Sequence, residues 1–233
     1  VLLLQSWGGD MSPANPEVEM VEPINPTIPG DYDRLDRIGY AATTHITAIL
    51  DSIATSAETT FASVTARPTI DYDLVGYEED EWNYPNGGMM CGTNSDSPCW
   101  DEEGEEPNMA CIPMPPGMAP KKFTISAFHI GDLLFVTVPG EPHVDYSLEV
   151  AEAAGTAAGF DDVAVVGYCQ DHWGYIMKEY DWMLGGYEPT VSFWGPKQGD
   201  YMAAQMPHVA ARLMDSSYEY PFTNESPFDK VPA

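Results

Sequence analysis

Two apolar segments run without a break into polar residues, and this pattern constrains the fold more than any other feature of the chain. The first, Ile130-Gly131-Asp132-Leu133-Leu134-Phe135-Val136-Thr137-Val138, leads straight into Pro139-Gly140-Glu141. The second, Val163-Ala164-Val165-Val166-Gly167, leads into a stretch holding Asp171, His172, Gly174 and Tyr175, followed by Gly186-Tyr187-Glu188-Pro189. Each apolar run reads as a buried strand, with a helical segment between them. A buried strand tip has no folding reason to collect acid, imidazole and phenol groups. Each polar group taken from water without a partner costs about 1–3 kcal/mol. The two tips therefore read as the rim of an active site.

The rest of the chain is read around that frame. Residues 1–6 suggest a buried strand and Gly8-Gly9-Asp10-Met11-Ser12-Pro13 a tight turn, with glycine freeing the backbone and proline blocking a helix start. Residues 13–33 form a proline-rich loop. Leu35, Ile38, Ala42, Ile46, Ile49, Ile53 and Ala57 recur at spacings of three and four, which predicts a long amphipathic helix over 33–60, with His45 at its core edge. Residues 61–74 predict an edge strand ending at Pro68, and 76–122 an irregular acidic insertion. A hairpin over 123–138 turns at Gly131-Asp132. Helices over 142–158 and 196–214 flank a strand over 162–167. Strands and helices alternate in this half, so the fold class is mixed α/β (α+β), a mixed sheet with flanking helices. The 233 residues read as a single domain or subunit.

Charge limits the partners. Thirty-seven acids against nine bases give a net charge of −28. Nucleic acid is excluded as a partner, since phosphate binding relies on Lys and Arg. No apolar run approaches the roughly 20 residues of a membrane span. Val1-Leu2-Leu3-Leu4 is too short for a signal peptide and lacks a basic start, which suggests that Val1 is a processing site or that the chain belongs to something longer. Cys91, Cys99, Cys111 and Cys169 fit no standard zinc spacing. A Cys91–Cys99 disulfide is expected, hence an oxidising, secreted or periplasmic location, while Cys169 is read as a buried thiol or a second bridge partner. The run Asp101-Glu102-Glu103-Gly104-Glu105-Glu106 is a candidate Ca²⁺ site without the alternating spacing of a calcium loop, and reads more simply as a solvated face.

Taken together and in order, four motifs resemble the neutral (non-lysosomal) ceramidases and their shorter bacterial relatives. Gly9-Asp10-Met11-Ser12-Pro13 with Asn15 is similar to that family's Gly-Asp-Val-Ser-Pro-Asn turn. Phe123–Glu141 resembles its hairpin ending in Pro-Gly-Glu, and Gly167–Ile176 its Gly-Leu-Ala-Asn…Tyr segment. Tyr187-Glu188 and Trp194-Gly195-Pro196 resemble its Tyr-Glu-Ala…Tyr-Gly-Pro segment. The resemblance implies the C-terminal part of a larger zinc-dependent catalytic domain that cleaves the amide of an N-acyl, lipid-like substrate. It implies Glu141 and Tyr175 as zinc ligands and Ser12 and Tyr187 as catalytic residues. It places Gln170, His172 and Trp173 at the substrate. The family's two histidine ligands lie upstream of the Gly-Asp-x-Ser-Pro turn, and none of His45, His129, His143, His172 and His208 matches them. They are therefore expected from an N-terminal chain or segment of the same precursor. Two other readings stay open: a serine or cleavage-matured amidohydrolase with Ser12 paired to a base such as His172, and a non-catalytic acidic secreted binding subunit.

Overall fold

The computed structural model describes residues 4–10, 30–55, 59–79, 81–90 and 111–224. The chain divides into two compact units, Val1–Asp10 with Thr60–Ala233, and Met11–Thr59.

The larger unit is built on a four-stranded sheet. Its strands are β1 (Phe61–Ala66), β4 (Ile125–Ile130), β5 (Leu133–Thr137) and β7 (Asp162–Val166), in the order β1-β4-β5-β7. β1, β4 and β5 pair antiparallel; β5 and β7 pair parallel, with Leu133 opposite Asp162 and Thr137 opposite Val166. The predicted hairpin and edge strand are thus in place. The parallel pair requires a crossover, and α3 (Val144–Ala158) supplies it. α3 buries Tyr146, Val150, Ala154, Gly155 and Ala158, one stripe at helical spacing. It ends at Gly159, which adopts the left-handed conformation.

α5 (Gln198–Met214) packs beside α3 through Met202, Met206, Val209 and Ala210. Both helices cover one face of the sheet, where Ile125, Ala127, Leu134, Val136 and Val165 are buried. Three small elements lie outside this frame: α2 (Tyr72–Val75), and the short strands β2 (Gly88–Met89) and β3 (Ile112–Pro113), which pair with each other. The acidic insertion is therefore not wholly irregular. β6 (Glu141–Pro142), β8 (Tyr175–Ile176) and α4 (Glu179–Met183) complete the unit.

A second cluster, Trp82, Met177 and Trp182, gathers Tyr72, Tyr77, Tyr84 and Tyr175 around it. The Trp82 and Trp182 rings meet edge to face at 5.8 Å. No described helix is long and apolar enough to cross a membrane.

Two expectations change. Residues 4–8 are not a strand, and Leu4 is exposed. The segment instead lies along the end of β7, where Gly167 N–H donates to the Gln5 carbonyl at 2.9 Å and Ser6 Oγ donates to the Val165 carbonyl at 2.9 Å. In the smaller unit the helix α1 spans Gly30–Ser52, starting earlier and stopping sooner than its apolar spacing implies. His45, Ile46, Ile49 and Leu50 on it are exposed, so the stripe is amphipathic without being buried and His45 edges no core.

Candidate active site

The site begins where the parallel strands end. Val138 N–H donates to the Val166 carbonyl at 2.8 Å, extending the β5–β7 ladder by one bond. The two loops that follow are then joined through their backbones. Cys169 N–H donates to Val138 (3.1 Å), Trp173 to Pro139 (2.9 Å), Tyr168 to Gly140 (2.8 Å) and Glu141 to Gly174 (2.8 Å). His143 N–H donates to Ile176 (2.9 Å), which closes β6 against β8 in parallel register. In that register Glu141 is the direct partner of Tyr175. Register partners point to the same side of a ladder, so the carboxylate and the phenol leave the backbone together. Ligand sites of α/β sheets gather beyond the carboxyl ends of parallel strands, which is where this pair stands.

Glycine permits the closest approaches. A side chain at Gly9 would run into the Glu141 carbonyl oxygen and the His143 ring, so the Gly8-Gly9-Asp10 turn can lie against β6 only without one. Gly9 N–H donates to the Pro142 carbonyl at 3.0 Å. Asp10 follows, and both its carboxylate oxygens accept from Val144 N–H at 3.2 Å. A carboxylate at a helix N-terminus satisfies an orphan donor and suits the helix dipole. Asp10 therefore ties the turn to α3, a role the sequence motif did not disclose.

Around Glu141 stand three aromatic groups. Tyr175 and Tyr187 meet edge to face with ring centres 5.7 Å apart. Burial first, and then the charge on Glu141, push the Tyr175 hydroxyl up to about 12. Tyr168 is raised too, by burial and then by its hydrogen bond to Glu141. Nothing in the sequence singled out Tyr168; the sign was a phenol one residue beyond a buried strand. His172 Nε2 lies 3.5 Å from Glu141 Oε1, and its ring centre is 6.1 Å from that of Tyr168. Gly174 N–H donates to His172 Nδ1 at 3.3 Å, so a neutral ring carries its proton on Nε2, facing the carboxylate. His143 packs against Tyr175 at 6.5 Å, and its buried Nε2 has no hydrogen-bond partner.

The other predicted residues fall differently. The Trp173 indole is buried in the core between Phe123 (6.0 Å) and Phe193 (6.2 Å). The Gln170 amide is spent within the protein, donating to Ser126 Oγ at 2.5 Å and accepting from Thr137 Oγ1 at 2.9 Å. Both it and Tyr168 have positive φ, 72° and 57°, a conformation costly for residues other than glycine. Ser12, Cys91, Cys99 and the acid run 101–106 lie outside the described residues. Cys111 is disulfide-bonded, and Cys169 is a free thiol whose pKa burial raises.

Among the described residues, no group of three or more His, Cys, Asp and Glu side chains is set to hold a metal ion. Glu141 and Tyr175 are oxygen donors of the kind zinc accepts, and among the described residues they are not joined by enough further ligands to complete a site.

No family model and no curated protein sequence matches the chain. Among solved structures, neutral ceramidase from Pseudomonas aeruginosa is similar to it with a TM-score of 0.55 and 18% identity, over 84% of this chain and 35% of that one. A ceramidase complexed with C2 is similar with a TM-score of 0.53 and 18% identity, over 85% of this chain and 37% of that one. The fold is therefore that of part of a ceramidase, and the chain spans little more than a third of the length of these structures.

Proposed function

We propose that this chain is the C-terminal part of the catalytic domain of a zinc-dependent hydrolase that cleaves the amide bond of an N-acyl, lipid-like substrate. The observation that carries the reading is the Glu141–Tyr175 register pair at the carboxyl end of parallel strands, within a ceramidase-like fold. Glu141 and Tyr175 would hold the metal, with two histidines from an N-terminal chain or segment of the same precursor. Bound Zn²⁺ supplies Lewis acidity and a water ionised near pH 7.

The chain's own residues do the rest. Tyr187 is 60% exposed and edge-on to Tyr175, so its hydroxyl can meet a carbonyl brought to the pair. A phenol placed there stabilises the oxyanion of the tetrahedral intermediate. Ser12 is assigned with it from the sequence motif. His172, half-exposed, holds a proton towards Glu141 and borders the entrance for substrate. Tyr168, whose ring lies 6.1 Å from that of His172, donates a hydrogen bond to the carboxylate. The acidic surface and the disulfide at Cys111 accord with a secreted or periplasmic protein. Calcium at the run 101–106 is a secondary proposal.

The test uses the complete reading frame that encodes residues 1–233. Metal analysis should find one zinc per molecule, and incubation with an N-acyl sphingosine should release fatty acid. Residues 1–233 alone should do neither. A complete protein that lacks zinc, or a full rate from residues 1–233 with added zinc, overturns the reading.

A further inference from the structure

The sheet has two faces, and α3 and α5 cover one of them. The side chains of the other follow from the strand registers. One end is closed by polar groups: Thr65 Oγ1 bonds to Ser126 Oγ at 2.7 Å, and the Gln170 amide spans Ser126 and Thr137. The other end is apolar and, among the described residues, open. Phe61, Ile130 and Leu133 are 67%, 48% and 37% exposed. Between these ends Phe135 stacks on Phe128 at 4.7 Å with rings 5° from parallel, and Phe128 meets Phe61 at 6.5 Å. Three phenyl rings thus cross β1, β4 and β5 in one row.

The charge pattern adds to this. The chain carries 37 acids, yet Asp162 is the one acid among the strand residues directed to this face. On so acidic a protein, an apolar patch free of charge at its centre is a surface kept for contact.

We propose that this face receives the remaining layer of the catalytic fold, an apolar face of the polypeptide that supplies the missing zinc ligands. The inference rests on the reading that such a polypeptide completes the site. Two facts select this occupant over a second copy of the chain. About two thirds of each solved ceramidase has no counterpart in residues 1–233, so a layer of the fold remains to be placed. A self-association would also bring together two chains of net charge −28. β5 has five residues and is about 17 Å long at ~3.3 Å per residue, so one packed layer can cover the rings and still reach the Glu141 end.

The experiment expresses residues 1–233 as one chain and the polypeptide encoded ahead of Val1 in the same reading frame as a second, tagged chain. Recovery of the first chain on the tag is measured, with circular dichroism of each variant alone as the folding control. Leu133→Glu and Ile130→Glu, at positions already open to water, should leave the isolated chain folded and lower recovery at least about tenfold, because docking would bury an unpaired charge. Leu148→Glu, exposed on α3, should change nothing. Unchanged recovery of both sheet variants overturns the inference. So does a wild-type chain that recovers no partner while the continuous protein holds zinc and hydrolyses the amide; the functional reading then survives. Loss of recovery from a complex that holds no zinc supports the docking face and overturns the zinc reading.

Discussion

The two ends of the β5–β7 strand pair are built on opposite plans. At the carboxyl end, Thr137 and Val166 are buried, and the chain beyond them is held by six backbone hydrogen bonds between the 138–143 and 166–176 segments. At the amino end, Leu133 and Asp162 are exposed, and the turn before β5 is held by a bond from Gly131 N–H to the Thr60 carbonyl and by a bond from His129 Nδ1 to the Gly131 carbonyl at 3.0 Å. The first plan leaves side chains free, because the backbone does the holding. Glu141, Tyr168 and Tyr175 can face one another without being needed for the turn, and His172 contributes to it only by accepting from Gly174 N–H. At the amino end the turn uses the His129 ring, and among the described residues no set of acid, phenol and imidazole groups gathers there. The carboxyl end should thus lose function when a side chain changes, and the amino end should lose almost nothing.

The largest effect should come from Glu141→Gln, which keeps the shape and removes the charge. Outer-shell changes alone cost about 10–100-fold in metal affinity, so loss of a ligand should abolish zinc retention by the complete protein and its activity together. Asp132→Asn at the amino end should alter neither, as metal analysis and turnover will show. Equal losses from both would break the contrast.

Next, Tyr187→Phe should lower kcat by about 10²–10³ with KM near its starting value, because the phenol meets charge that exists only in the transition state. A raised KM with unchanged kcat would assign Tyr187 to binding.

Gly9→Ala sharpens the comparison on the stability side. Its methyl group meets the Glu141 carbonyl and the His143 ring, backbone and buried ring that cannot give way freely. Denaturant unfolding should show a loss of about 1–3 kcal/mol, against less than about 1 kcal/mol for the half-open Leu133→Ala.

The smallest effect concerns the thiols. Peptide mapping without reduction should find Cys111 linked to Cys91 or Cys99, in place of the Cys91–Cys99 pair expected from spacing, and Cys169 free. Cys169 follows β7 on the functional side, and at neutral pH it should alkylate more slowly than the same thiol in the unfolded chain, since burial raises its pKa. A mapped Cys91–Cys99 bridge would return the expectation to its original form.

Much of this was legible in the sequence where side-chain period tracks the backbone. The hairpin, α3, β7 and α5 lie within a few residues of their predicted spans, and Pro-Gly-Glu and Tyr175 mark the two strands that meet. Periodicity failed where the chain has none. Trp173 and Gln170 sit in a loop with left-handed residues on both sides of Cys169, so the spacing of residues gives no direction to their side chains. Hence one became core and the other a bracket between strands. α1 differs for another reason: an apolar stripe reports that a helix can bury one face, and does not name what covers it. The tie between Asp10 and α3 joins residues 134 apart in the chain, a distance no local pattern spans.

The pairing of Glu141 with Tyr175 has a consequence for drift over evolutionary time. Neighbouring strands lie about 4.7–4.9 Å apart whatever their sequence. The spacing of the two donors is therefore inherited from the peptide ladder and not from the packing of neighbouring side chains. Core residues can be exchanged wholesale without altering the separation of the two backbones that carry the carboxylate and the phenol, provided the two short strands keep their register.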